Sequence, residues 1–394
     1  MTEIGGNVEA GFEGVAEAFR ANFAEHGDVG AATALYVHGR KVVDLWGGVA
    51  DRATGAPYTE DTLQLVFSTT KGATAACAHL LAQRGDLDLD APVATYWPEF
   101  KAAGKGEIPV RWLLCHKAGL PYVDATVTYE EALAWDPVIR ALEAQAPVWE
   151  PGTAHGYHAT TYGWLVGEVI RRITGKTVGT YFAEEIAAPL GLEFWIGLPE
   201  EQQHRVAPLI TLSRPKDPAM AALMDQSMGP DTILGKALGA PSMVFTTEMD
   251  AWNRPEVRAA EIPAANGVTN ARSLARFYAG LTGPVEGAAA APLLSPEQIA
   301  IASETQTSGA DQVIYMETTI GVGFWTASPF APYGGAKAFG HGGAGGSLGF
   351  TDPENGIGFG YVMNRMLQHL SGDPRTRNLV AAVYDAIGVT PAFV

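Results

Sequence analysis

Residues 66–85 read VFSTTKGATAACAHLLAQRG. The Ala- and Leu-rich run from Ser68 to Arg84 has high intrinsic helix propensity, and Gly85 supplies a stop. Ser68 and Lys71 form an S-x-x-K, and positions i and i+3 share one face of a helix. The lysine amine therefore comes within hydrogen-bond reach of the serine oxygen. Amides at the helix N-terminus point toward Ser68, where an oxyanion would develop. A serine held against a base is what nucleophilic acyl chemistry requires. The same spacing recurs at Ser213-Arg214-Pro215-Lys216. There Pro215 and Pro218 forbid the continuous helix that would keep the pair in register.

On the N-terminal side of this stretch, Phe12, Val15, Phe19 and Phe23 recur at helical spacing and predict an amphipathic helix over residues 11–26. Ala34–Val37 and Val42–Trp46 are β-prone runs around His38-Gly39-Arg40, which reads as a hairpin. On the C-terminal side, residues 86–225 read mostly helical, through DLDLDAPVATYWPEF, Tyr129–Glu143 and Tyr162–Thr174. The segment 213–241 is dense in Pro, Gly, Met and Asp and reads as a long irregular excursion over a surface or a cleft. Strands return at Val313–Thr318, Gly346–Thr351 and Gly356–Met363, and Thr376–Ile387 closes as a helix. This order implies an α/β lobe built from residues 1–85 and 226–394, with a helical lobe, 86–225, inserted. The cleft between lobes is then the default site.

Composition agrees with a folded enzyme. The 394 residues are 47% hydrophobic and 18% charged, which supports a core and argues against disorder. There are 26 basic and 43 acidic residues, a net charge of −17, with no basic run. Phosphate binding needs clustered Lys and Arg, so neither nucleic acid nor an anionic membrane is expected as a partner. The opening MTEIGGNVEAGFEG has no basic or apolar signal region, which with Met1 as the start predicts a cytoplasmic protein. No stretch approaches the roughly 18 apolar residues of a membrane span. Cys77 and Cys115 are expected to stay reduced as small core residues. Cys115 precedes His116, but catalytic pairs meet across a fold, and adjacency alone makes no dyad.

Three further stretches carry chemistry. Tyr157 ends the loop PGTAHGY and stands just before a helix, where it serves either packing or catalysis. Gly340-His341-Gly342-Gly343-Ala344-Gly345-Gly346-Ser347 is a glycine-rich run that either cradles a ligand with backbone amides or simply turns. Gly345–Gly349 also matches G-x-S-x-G, but a nucleophile elbow must open a helix, whereas a strand follows Ser347. Asp352, Glu354, Asp373, Asp385 and His369 lie downstream of Ser347, in too few residues to complete that fold. His155 and His158, three apart, read as lining the site rather than as a metal pair.

In this order, STTK at 68–71, the run from Pro151 through GYHATTYGWLVGEVI to 170, NGVTNARSLARFY at 266–278 and GHGGAGG at 340–346 resemble the serine β-lactamase/penicillin-binding-protein superfamily. More narrowly they resemble family VIII carboxylesterases, esterases on a class C β-lactamase fold. The likeness extends to ADRATGAPYTEDTLQLVFSTTK and to LLCHKAGLP at 113–121. It implies a β-lactamase/transpeptidase-like fold, an antiparallel sheet flanked by helices with an inserted helical lobe. It also implies Ser68 as nucleophile, Lys71 and Tyr157 sharing base and acid roles, and the Ser68 and Ala344 amides as the oxyanion hole. No metal or cofactor is called for.

Lys and Tyr ordinarily titrate near 10, so a base working at neutral pH needs roughly 4 kcal/mol of help. A lysine cation beside a tyrosine phenolate in a partly buried cleft is the expected source. Two departures from the lactamase pattern separate activities. The tyrosine motif runs Tyr157-His158-Ala159 without the usual Y-x-N, and His341-Gly342-Gly343 stands where K-T-G is found. A neutral imidazole lacks the fixed cation that holds a substrate carboxylate. The expected activity is hydrolysis of short-chain acyl esters, with His341, Gly342, Gly343, Trp325 and His158 around the substrate. β-Lactam or D-amino-acid peptide hydrolysis, acyl transfer to a small alcohol, and a non-enzymatic sensor are the competing expectations. Apolar residues of 213–241 cover either the cleft or a neighbouring copy, so a homo-oligomer is compatible with the sequence.

Overall fold

The computed structural model describes residues 2–212 and 216–394. Nine strands give one path: β1 (Ile4–Val8), β2 (Gly30–Val37), β3 (Arg40–Asp51), β4 (Thr307–Ala310), β5 (Glu317–Ile320), β6 (Trp325–Thr326), β7 (Phe339–Gly342), β8 (Leu348–Asp352) and β9 (Ile357–Met363). Among the described residues their order is β1-β3-β2-β9-β8-β7-β6-β5-β4, every neighbouring pair antiparallel, with Ala56–Pro57 pairing off β3. The β2–β3 hairpin turns on His38 and Gly39, both at positive φ, 48° and 78°. That is the two-residue geometry whose twist matches its strands.

Helices cover both faces. Helices α1 (Glu13–Glu25) and α5 (Pro374–Ala386) pack on each other, while α4 (Ala271–Thr282) lies on β9, β8 and β2. Side chains alternate across a strand, and β9 uses glycine on one face. A Cβ at Gly358 would stand 2.4 Å from Ala279 N, and one at Gly360 2.5 Å from Ala271 O. The missing side chains let α4 lie directly on the sheet. The opposite face carries Phe359 and Tyr361, and the Tyr361 hydroxyl donates to Asp28. Asp28 and Asp373 pair with Arg375, whose side chain is fully buried. The same guanidinium donates to Arg365 O and to Gly345 O.

Several expected elements differ. DLDLDAPVATYWPEF forms only short 3-10 turns, Val93–Thr95 and Pro98–Gly104, because Pro92 and Pro98 break any longer helix. Tyr129–Glu143 divides into Tyr129–Leu133 and Asp136–Ala144 around Trp135, whose φ is +56°. The excursion 213–241 is more regular than expected. Its described part holds helices Pro218–Met228 and Ile233–Gly239, capped by the Asp217 and Thr232 side chains. The strand expected at Val313–Thr318 begins only at Glu317. Asp311 Oδ1 captures the Val313 and Ile314 amides at 2.8 and 3.0 Å and bends them into a turn. No helix among the described residues is long and apolar enough to cross a membrane.

Candidate active site

The short strand Gln64–Leu65 runs through Phe67, held at φ +43°, into a 3-10 turn Phe67–Thr69 and then α2 (Thr70–Arg84). Positive φ on a bulky residue is costly and persists where surroundings enforce it. Here the Phe67 ring packs edge-on against Trp252, and Thr70 Oγ1 donates to Phe67 O. The result is a half-buried Ser68 at the mouth of α2, with Lys71 one turn in and fully buried.

Lys71 Nζ lies 2.6 Å from Ala159 O, 3.1 Å from Ala264 O and 3.1 Å from Ser68 Oγ. No carboxylate is among these partners. Burial without a counter-charge pushes the Lys71 ammonium well below its ordinary range. A neutral amine has two N–H donors and one lone pair. Nζ donates in all three contacts; once it gives up one proton, the two carbonyls take the remaining donors and the lone pair is left for Ser68. The amine also sits 4.8 Å from the centre of the Tyr157 ring. Burial pushes the Tyr157 phenol upward and the Asp311 charge adds to this, while a hydrogen bond with Ser68 opposes both. Both shifts disfavour charge on the pair, against the cation–phenolate arrangement expected from the sequence.

Behind this pair Trp325 stacks on His341, ring centres 4.1 Å apart, and both rings approach Tyr157, at 5.6 and 6.1 Å. His341 Nδ1 donates to Gly342 O, and Nε2 is buried with no partner among the described residues. Burial pushes the imidazole well below its ordinary range, so it stands neutral. Gly342 ends β7, and Gly343 and half-buried Ala344 follow in the turn to β8. Gly343 N donates to Ser347 O. The amides of Ser68 and Ala344 have no protein acceptor among the described residues.

Other candidates are placed elsewhere or are used up. Ser347 is buried, donates to Val66 O at 2.9 Å and lies 3.0 Å from Thr69 Oγ1. Its hydroxyl ties the glycine-rich turn to the strand end before Ser68, and β8 rather than a helix follows it. His158 is fully buried and both ring nitrogens are occupied. Nε2 accepts from Leu120 N and Nδ1 donates to Gly156 O, so it braces a loop rather than facing substrate. Each His155 nitrogen lies beside a threonine hydroxyl, Thr318 and Thr307, so this ring too is engaged within the protein. Cys77 and Cys115 are free and buried, and burial raises the Cys115 thiol to about 12. Ser213 of the second S-x-x-K lies outside the described residues. Three contributors carried no sequence signal. The carbonyls of Ala159 and Ala264 are backbone, and Asp311, whose Oδ1 accepts the Tyr157 amide at 3.1 Å, is one acid of many.

The Beta-lactamase family model matches residues 15–384. A relative from Mycobacterium tuberculosis (strain ATCC 25618 / H37Rv), described as Esterase/beta-lactamase LipL, is 37% identical over 376 residues, 93% of this chain and 84% of that protein. Among solved structures, a family VIII carboxylesterase superposes with a TM-score of 0.87 at 38% identity, over 98% of this chain and 100% of that one. A penicillin-binding-protein homologue from Caulobacter crescentus superposes at 0.85, also with 38% identity and the same coverage. The chain therefore belongs to the Beta-lactamase family and is a serine hydrolase of the β-lactamase/transpeptidase-like fold.

Proposed function

We propose that this protein is a carboxylesterase that hydrolyses short-chain acyl esters through a Ser68 acyl-enzyme. One observation carries the reading. Lys71 is an amine without counter-charge whose two other partners are carbonyls, which leaves its lone pair for Ser68. Ser68 Oγ attacks the ester carbonyl carbon as its proton passes to Lys71 Nζ. The Ser68 and Ala344 amides receive the oxyanion. Collapse expels the alcohol, protonated through Tyr157 from Lys71. Water then repeats the sequence on the acyl-enzyme and releases the acid.

Ester rather than lactam chemistry is supported by the neutral His341, which offers no cation to a substrate carboxylate, and by the likeness to a family VIII carboxylesterase structure. A cytoplasmic location belongs to the same proposal, supported by two unpaired thiols.

The test is hydrolysis of p-nitrophenyl butyrate by the protein and by Ser68→Ala, with intact-mass detection of a butyryl adduct. Loss of about 10³-fold or more, and loss of the adduct, is expected. Retention of most activity by Ser68→Ala overturns the reading. Faster turnover of a chromogenic cephalosporin than of the ester moves the protein to lactam hydrolysis. Preferential ester formation with added alcohol moves it to acyl transfer.

A further inference from the structure

Tyr157 belongs to no helix or strand, yet its backbone is held on every side. Three consecutive amides each donate to a buried acceptor. Gly156 N–H reaches His116 O at 3.1 Å, Tyr157 N–H reaches Asp311 Oδ1 at 3.1 Å, and His158 N–H reaches His116 Nδ1 at 3.0 Å. The two acceptor residues come from segments 195 positions apart, 116 and 311, and are 2% and 1% exposed. We propose that His116 and Asp311 are positioning residues that together fix the Tyr157 side chain against Ser68 and Lys71. This rests on the catalytic role given to Tyr157 above.

The geometry at each acceptor fits this task better than a packing role. His116 has φ +61°, a conformation His adopts rarely and retains where surroundings enforce it. In that conformation one residue presents both its carbonyl and its ring nitrogen to the amides flanking Tyr157. Its ring also lies 5.0 Å from the Tyr157 ring and 5.2 Å from that of Tyr162, so the phenol is braced from its face as well. Accepting at Nδ1 requires the neutral imidazole with its proton on Nε2. Burial enforces that state. Asp311 Oδ1 divides itself among the Tyr157, Val313 and Ile314 amides, which ties the tyrosine loop to the turn before β5. Neither residue hydrogen-bonds to Ser68 or Lys71; both act through Tyr157.

The experiment combines His116→Ala and Asp311→Ala with Tyr157→Phe and reads kcat and KM for p-nitrophenyl butyrate. A displacement near 1 Å costs about 10²-fold in rate, so each alanine variant is expected to lose about that in kcat with KM within about threefold. In the Tyr157→Phe background, which has no hydroxyl left to place, the same substitutions are expected to cost less than about threefold. His116→Asn and His116→Gln guard against misfolding. Asn puts an acceptor where Nδ1 stands and tolerates positive φ, whereas Gln puts its acceptor one atom further out. Asn is expected to retain at least about tenfold more kcat than Gln at equal thermal stability. Equal kcat for Asn and Gln, or equal losses with and without the Tyr157 hydroxyl, overturns the proposal. If Tyr157→Phe itself keeps wild-type kcat, the catalytic reading of Tyr157 fails first, and the two failures are told apart by that single variant.

Discussion

Gly343→Ala isolates the spacing between the nucleophile and the glycine-rich turn. A Cβ at Gly343 would stand 2.2 Å from Ser347 Oγ, 2.2 Å from Val66 O and 2.9 Å from Thr69 Oγ1. Ordinary contact begins at 3.4 Å, and 3.4 minus 2.2 leaves a shortfall of 1.2 Å. Neither wall can give easily. Val66 O is backbone and accepts from Thr69 N and from Ser347 Oγ, so moving it drags the segment that carries Ser68. The turn bearing the Ala344 amide must retreat instead. A misplacement near 1 Å is worth about 10²-fold in rate, and removal of one oxyanion donor about 10²–10³-fold. The expected result is a fall of about 10²-fold in kcat for p-nitrophenyl butyrate with KM nearly constant, and a stability loss of about 1–3 kcal/mol from overpacking. Gly342→Ala supplies the internal contrast, because its Cβ meets nothing closer than Trp325 at 3.6 Å. Its loss is expected to stay below about tenfold. If Gly343→Ala keeps kcat within threefold of wild type, or if Gly342→Ala is the more damaging, the spacing argument is wrong.

Lys71→Arg keeps a charge but removes the means of losing it, since a guanidinium stays protonated in proteins. Activity is expected to fall by about 10³-fold or more and to show no recovery in a pH–rate profile up to pH 10. In the unaltered enzyme the sign runs the other way. A lysine held below its ordinary range is protonated only as pH falls through its folded value, so kcat/KM should decline on the acid side of a point well below the ordinary lysine range. Ser347→Ala removes a hydroxyl whose partners among the described residues are Val66 O and Thr69 Oγ1. A cost of about 1 kcal/mol by chemical denaturation is expected, with the butyryl adduct still forming on Ser68. Arg375→Met strands Asp28 and Asp373 without a counter-charge, and thermal melting should report a loss of about 3–5 kcal/mol.

How much of this was legible depended on range. Ser68 and Lys71 meet because residues three apart on a continuous helical run share a face, and the Gly85 stop is equally local, with φ +81°. The β2–β3 hairpin was readable from its two-residue turn for the same reason. The roles proposed for Tyr157 and Ala344 rest only on the order of motifs along the chain, because nothing in their own neighbourhoods marks them. Asp311 was not reachable. A single carboxylate outside any periodic pattern turned Val313 and Ile314 out of a strand and reached back to the Tyr157 amide. The protonation of Lys71 and Tyr157 lay beyond the sequence as well, since it follows from burial and from which backbone carbonyls surround the amine. The helices at 218–228 and 233–239 were hidden by Pro, Gly and Asp that look like loop residues but act at helix starts.

The pairing of β2 with β9 sets a timetable for the newborn chain. Val37 pairs with Ile357, 320 positions later. At about 5–20 residues per second of synthesis, β2 waits roughly 15–60 s on the ribosome for its partner. Throughout that interval the β2–β3 hairpin presents an open edge along residues that are buried almost without exception in the finished sheet. The helix with the nucleophile is also made early, but Ala344 and the Arg375 guanidinium that grips Gly345 come last. On the proposed mechanism, translation therefore delivers Ser68 well before its oxyanion site, and catalysis waits until nearly all of these residues have emerged.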